Sequence, residues 1–319
     1  MRHSLATLTQ RSYDRLWKTF TDLAFQMGLC PLPVSAGNLE IIVTFFAHSK
    51  KSVASVNGML ASVALFHARY GYSAPTGAPR IKLLIRGVSR LFGRAPVQCC
   101  PLAPSHVVGA ISSLHGDHLR TANFQCSLLA WRTTACTVFS FSSLARFDCL
   151  ARLSISNIHF LPEGMEVFFP SSKTDQARRG EIVFVGCVQG SLHCPVLFMK
   201  AYTLRLHWEA FQRGAFPYAG PLFPALQSSH GHSRPLQRPF TRQAATKAFR
   251  DSLEAQGVPD PSLYTLHSGR KGRATAAAMN GCSFLSIKRQ GRWRSDACPQ
   301  RYIDDATARN NHFSRFLGL

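Results

Sequence analysis

Residues 264–275 read YTLHSGRKGRAT, and residues 287–302 read IKRQGRWRSDACPQRY. The first stretch opens a helix on which His267 and Arg270, three residues apart, share one face. A helix N-terminus adds positive potential there, which suits a phosphate. The second stretch carries Trp293 and, nine residues later, Tyr302, among Lys288, Arg289, Arg292 and Arg294. Each feature alone is ordinary. His-x-x-Arg occurs on surface helices, a lone tryptophan is most often core, and Tyr302 is one of seven tyrosines. Together they form a set suited to phosphodiester chemistry without clustered acids: a side-chain nucleophile, cations for the phosphate oxygens and a proton donor for the leaving oxygen. Metal-dependent nucleases need grouped carboxylates, whereas this chain has 16 Asp and Glu in all, with Asp304-Asp305 as its adjacent pair. No metal and no cofactor is therefore expected.

The charge distribution points the same way. The 319-residue chain carries 37 Lys and Arg, for a net charge of +21. Residues 41–116 hold no acid but do hold Lys50, Lys51, Arg69, Arg80, Lys82, Arg86, Arg90 and Arg94, and residues 261–295 are acid-free as well. Acid-free basic stretches suit a polyanion, because each neutralised phosphate releases counterions. No apolar run approaches the ~18 residues of a membrane span, and the opening MRHSLATLTQRSYDRLW has no apolar signal segment. The ten cysteines include no Cys-x-x-Cys, so free and largely buried thiols are expected. The His-Gly-His of SSHGHSRP (228–235) reads as a solvated loop.

The helical period recurs through residues 1–93, at Tyr13 to Met27, Ile41 to His48, Val53 to Phe66 and the basic amphipathic RIKLLIRGVSRLFG (80–93). An all-helical N-terminal domain is expected there. RAPVQCCPLAP (94–104), with three prolines, reads as a linker. Residues 105–319 read as a mixed α+β domain. Helices are expected over 105–115, 120–140, 142–153, 193–211, 241–256, 265–280 and 283–290, with a short one around 299–307. MEVFFP (165–170) and EIVFVG (181–186) form a hairpin with a long basic loop, SSKTDQARRG. Residues 214–240, rich in Pro, Gly, Ser and His, read as loop. The fold class expected is mainly α with a small antiparallel β-sheet.

On these residues the chain resembles the tyrosine recombinase (phage integrase) family. The signature of that family is an early Arg, a hairpin Lys, His-x-x-Arg, His or Trp, and a nucleophilic Tyr. Arg146 in SLARFDCLARLSISNI matches the Arg-x-x-acid-Leu-x-x-Leu pattern through Leu150 and Leu153. Arg152 is the competing candidate, with poorer spacing. Lys173 in FFPSSKTDQ matches the hairpin Lys, and His267-Ser-Gly-Arg270 matches the box. Trp293 stands at the His/Trp position, as in the Cre branch, and Tyr302 in QRYID at the nucleophile. SYDRLWKTFTDLA is similar to the first helix of the family's core-binding domain, and the finer flavour is similar to recombinases of DIRS or Crypton mobile elements. One departure concerns the acid three residues after the early Arg. That place holds Cys149, with Asp148 one residue earlier. Another is Ala145, where Gly is common before the Arg.

The resemblance implies a site-specific recombinase. Tyr302 would form a 3′-phosphotyrosine, Arg146 and Arg270 would hold the non-bridging oxygens, and Lys173 would protonate the 5′-oxygen. His267 would assist proton transfer or hold the phosphate, and Trp293 would donate to it. The partner implied is double-stranded DNA, bound by a homo-tetramer on two duplexes through a Holliday junction. Lys50, Lys51, Arg80, Lys82, Arg86 and Arg90 are candidates for contacting it. The tail from residue 303 would dock on a neighbouring protomer, or fold back on its own domain. In a eukaryote the protein would work in the nucleus; otherwise, in the cytoplasm or nucleoid. The alternatives are an inactive recombinase-derived DNA-binding protein and a type IB topoisomerase.

Overall fold

The computed structural model describes residues 7–94, 99–115, 126–172, 175, 179–229, 232–297 and 299–302. The chain divides into two compact units, Met1–Val97 and Gln98–Leu319.

Four helices build the first unit: α1 (Thr7–Gln26), α2 (Ala36–Lys50), α3 (Val53–Arg69) and α4 (Pro79–Phe92). Serine caps start two of them. The Ser35 hydroxyl accepts from the Asn38 N–H, and Ser52 from the Ser55 N–H, which satisfies donors that the first helical turn leaves free. The core gathers Phe20, Leu39, Ile42, Val56, Met59, Val63 and Ile81, all fully buried. Burying side chains of this size stabilises by roughly 1.5–3 kcal/mol each. His67 is buried with them: its Nε2 accepts from the Val34 N–H at 3.0 Å, and its Nδ1 lies 2.9 Å from the Val63 carbonyl. That pairing suits the neutral ring with its proton on Nδ1.

The second unit is built around α6 (Leu128–Ser143). Capped at Ser127, α6 is buried almost all round, and its buried hydroxyls bond backbone carbonyls, as Ser143 does to Phe139. Around it lie α5 (Pro104–His115), the short α7 (Phe147–Leu150), α8 (Pro195–Phe211), α9 (Arg242–Ala255), α10 (Ser268–Met279) and α11 (Phe284–Gln290). Trp131 of α6 stacks on Phe198 of α8, and Phe139 meets Phe169 and Phe223. Strands β1 (Ile158–Leu161), β2 (Gly164–Phe169) and β3 (Glu181–Gly186) form an antiparallel sheet in that order. It contains the expected hairpin and adds β1, whose four residues are too short to show a period.

One expectation is corrected. Residues 214–240 are not all loop: β4 (Pro224–Ser229) and β5 (His232–Pro239) pair antiparallel. Pro224, Pro235 and Pro239 disguised them, since proline is tolerated where a strand has no second neighbour to bond. Within the 94–104 stretch, the residues from Cys99 on are held by backbone hydrogen bonds. The Cys100 N–H donates to the Leu263 carbonyl and the Leu102 N–H to the Ser268 carbonyl. Leu102 is buried against Phe141, Phe249 and Leu253. Lys173, His230 and Gly231 of the His-Gly-His segment, and the tail from residue 303 lie outside the described residues. Among the described residues, no helix is long and apolar enough to cross a membrane.

Candidate active site

The end of α6 makes the first part of the site. The helix stops because Leu144 turns into the left-handed region, with φ 52°, so its carbonyl leaves the helical ladder. Arg146 follows as the residue that caps the start of α7, and it is half-buried. The second part is α10. His267 precedes its first turn, and Ser268, fully buried, accepts from the Thr265 N–H. Gly272 lies directly against the Leu102 backbone, where a Cβ would overlap the carbonyl. That close approach seats the helix and its Arg270.

Arg270 joins the two parts. Its Nη1 donates to the Leu144 carbonyl and its Nη2 to the Gly291 carbonyl. It is 3% exposed. Its Cζ lies 4.1 Å from the centre of the Trp293 ring, a cation–π contact. The same ring meets Tyr302 at 5.7 Å between centroids, tilted by 46°. Trp293 is itself buried among Leu144, Ala274 and Ile287, with Tyr302 packed on the group. The turn that presents Trp293 is braced on both sides. Gln290 Nε2 donates to the Phe184 carbonyl of β3 at 3.0 Å, and Lys288 pairs with Asp296 at 2.5 Å.

The electrostatics show how crowded with cations this place is. Burial, and then the charges of Arg146 and Arg292, push the Arg270 guanidinium down to about 9. It remains protonated at neutral pH. Burial also lowers His267, reinforced by Arg242, Arg270 and Arg146 and opposed by Asp148, so its ring is neutral near pH 7. Three guanidiniums repelling one another in a partly desolvated place are a receptor for an anion.

Of the sequence candidates, the structure therefore brings together Arg146, His267, Arg270, Trp293 and Tyr302. Arg152 is turned elsewhere: its Nη1 donates to the Ser171 Oγ at 2.7 Å. Lys173 lies outside the described residues, but Asp175 two residues on accepts from the Arg179 and Gly180 N–H groups at 3.1 and 2.9 Å. Those bonds, chiefly the one from Gly180, hold its carboxyl below the usual range. Cys149 is buried beside Arg270 and Arg292. Asp148 instead pairs at the surface with Arg242 at 2.6 Å. Sequence reasoning passed over Arg292 and Arg242 as site neighbours. Only the adjacency of Arg292 to Trp293 hinted at the former, and nothing local marked the latter. In the first unit, Lys50, Lys51, Arg80, Lys82, Arg86 and Arg90 are all exposed. Lys82, Arg86 and Arg90 fall four residues apart along α4, while Arg80 is engaged by Glu40 at 2.5 Å.

No protein-family profile matches the chain. Over 317 residues it is 22% identical to an integrase/recombinase xerD homolog of Selenomonas ruminantium, covering 95% of this chain and 83% of that protein. Among solved structures it is similar to the Tn1549 transposon integrase in complex with transposon right end DNA. The TM-score is 0.58 and the identity 14%, over 99% of this chain and 95% of that one. A lambda integrase dimer bound to a COC′ core site matches with a TM-score of 0.55 at 13% identity, over 95% and 90%. The XerH site-specific recombinase bound to a palindromic difH substrate matches with 0.57 at 11% identity, over 88% and 72%. The chain therefore shares the fold of these integrases and this recombinase, and its sequence likeness to the xerD homolog runs along nearly its whole length.

Proposed function

We propose that this protein is a site-specific DNA recombinase that breaks and rejoins strands by transesterification through Tyr302. The observation that carries the reading is the convergence of Tyr302, Trp293 and Arg270, with Arg146 and His267 close enough for their charges to act there. The Tyr302 oxygen attacks the scissile phosphorus. A 3′-phosphotyrosyl bond forms as the bond to the 5′-oxygen breaks. Lys173 protonates that oxygen, and the phenol proton leaves to a neutral acceptor, a part the His267 ring can fill. Arg146 and Arg270 stabilise the charge on the non-bridging oxygens; the planar fork of arginine fits two oxygens at once. The energy of the phosphodiester stays in the tyrosyl link, so a 5′-hydroxyl from a second duplex reverses the step and exchanges strands.

DNA as the partner is supported by the DNA-bound relatives and by the acid-free basic face of α4. A tetramer on two duplexes, and a finer kinship with the Cre branch or DIRS and Crypton elements, rest on the motif resemblance alone. Cys149 favours one second reading, a recombinase-derived DNA binder that has lost cleavage. A covalent-trapping assay separates the two. Protein is incubated with supercoiled DNA, stopped with SDS, and examined for protein attached to DNA, with Tyr302→Phe alongside. An adduct absent from Tyr302→Phe is expected. An adduct that persists in that variant would overturn the assignment.

A further inference from the structure

The arginine cluster has a countercharge that the catalytic motif does not contain. Arg292 is 8% exposed, and its Cζ sits 3.7 Å from the centre of the Phe169 ring. Its backbone is in the left-handed region at φ 53°, where residues other than glycine are uncommon and often functionally placed. Phe169 of β2 is the register partner of Glu181 on β3. Residues opposite one another across an antiparallel pair project to the same face. The neighbouring pair, Phe168 and Ile182, is exposed, which places Phe169 and Glu181 together on the inner face, the side of Arg292.

Two atoms there are buried without a hydrogen-bond partner, Arg292 Nη1 and Glu181 Oε2. Both residues neighbour Phe169, and orphaned groups of opposite charge so placed call for an explanation. Among the described residues, the charges acting on Arg292 are those of Cys149, Glu181 and Arg146, and Glu181 is the carboxylate of the three. Among the described residues, no carboxylate acts on Arg270. Asp148, although adjacent in sequence to Cys149, is spent on Arg242 at the surface.

We propose that Glu181 is the acidic partner of the arginine cluster: a positioning residue that holds Arg292 and, through it, sets Arg146 and Arg270 for the phosphate. The proposal rests on the phosphoryl-transfer reading above only for its catalytic consequence. The pairing itself is independent of that reading. Without this carboxylate, three guanidiniums would face one another with only the Cys149 thiol beside them, and their mutual repulsion would spread them before DNA arrives.

Two measurements test it on the full chain. The first is a double-mutant cycle in urea unfolding with wild type, Glu181→Gln, Arg292→Gln and the double variant. The double variant is expected to unfold at a higher urea concentration than the sum of the single shifts requires; additive shifts overturn the pairing. The second is covalent trapping on supercoiled DNA at a temperature where every variant is folded. Glu181→Gln is expected to lower the rate of adduct formation by about tenfold or more, the scale on which outer groups that orient a site act. Adding Cys149→Asp, which returns a carboxylate beside both arginines, is expected to recover it. An unchanged rate in Glu181→Gln, or a loss that Cys149→Asp does not recover, overturns the positioning role. If wild type itself forms no adduct, the recombinase reading fails while the unfolding cycle still decides the pair.

Discussion

The Trp293 ring meets the Arg270 guanidinium carbon at 4.1 Å from its centre and presses against Tyr302 with its centroid 5.7 Å away. One buried aromatic thus places the Arg270 guanidinium relative to the Tyr302 phenol. Trp293→Ala removes both interactions and leaves a cavity among Leu144, Ala274 and Ile287. A destabilisation of about 3–5 kcal/mol is expected, as for other large-to-small changes in cores, together with loss of the DNA adduct. Trp293→His should retain more of both. Urea unfolding and SDS trapping read the two effects separately.

Gly291 lies under that ring, and a Cβ built on it would overlap the Trp293 six-membered ring. Gly291→Ala must therefore displace Trp293, since the overlapped atoms belong to a buried, rigid side chain. Tryptophan fluorescence should shift and adduct formation should fall, while far-UV circular dichroism stays native. Unchanged fluorescence and activity would mean that the ring has room to move.

Arg270 does structural as well as electrostatic work, because it ties the Leu144 and Gly291 carbonyls together. Arg270→Lys keeps the charge but cannot reach both. Each carbonyl left unpaired in the interior costs about 1–3 kcal/mol. A lower urea midpoint and loss of cleavage are expected despite the conserved charge.

His267 sets a pH dependence whose sign is determined. Its pKa is lowered in the folded protein by burial and then by Arg242, Arg270 and Arg146, so the unfolded chain binds the proton more readily. Stability therefore rises with pH between the lowered folded value and the ordinary 6.5, and is lost as the pH falls through that window. His106, also lowered by burial, adds in the same direction. Melting temperatures measured across this range should rise less steeply in His267→Asn than in wild type.

The basic face of α4 should be read by salt. Lys82, Arg86 and Arg90 are exposed on one side of the helix. Replacing each by Ala should lower the slope of log affinity against log salt by about 0.9 for every phosphate that is no longer neutralised. Arg80→Ala should change it less, because Glu40 already neutralises that side chain.

The helices of both units follow from apolar periodicity and serine caps, which act within a few residues and so are written locally. The His267–Arg270 box and the order of Arg146, Trp293 and Tyr302 were legible for the same reason: side-chain type and spacing are properties of the chain. What lay beyond the sequence depends on packing between distant segments. Local spacing favoured Arg146 over Arg152, but only the turn after α6 shows one beside Arg270 and the other bonded to Ser171. The β4–β5 pairing is long-range bonding that its prolines concealed. Glu181 and Arg292 stand 111 positions apart in the sequence, joined through the register of Phe169 on the neighbouring strand. The sequence determined which chemical groups were available and the helices that carry them. The tertiary structure decided which of them share a desolvated space, because burial and Coulomb repulsion act through distance in three dimensions and not along the chain.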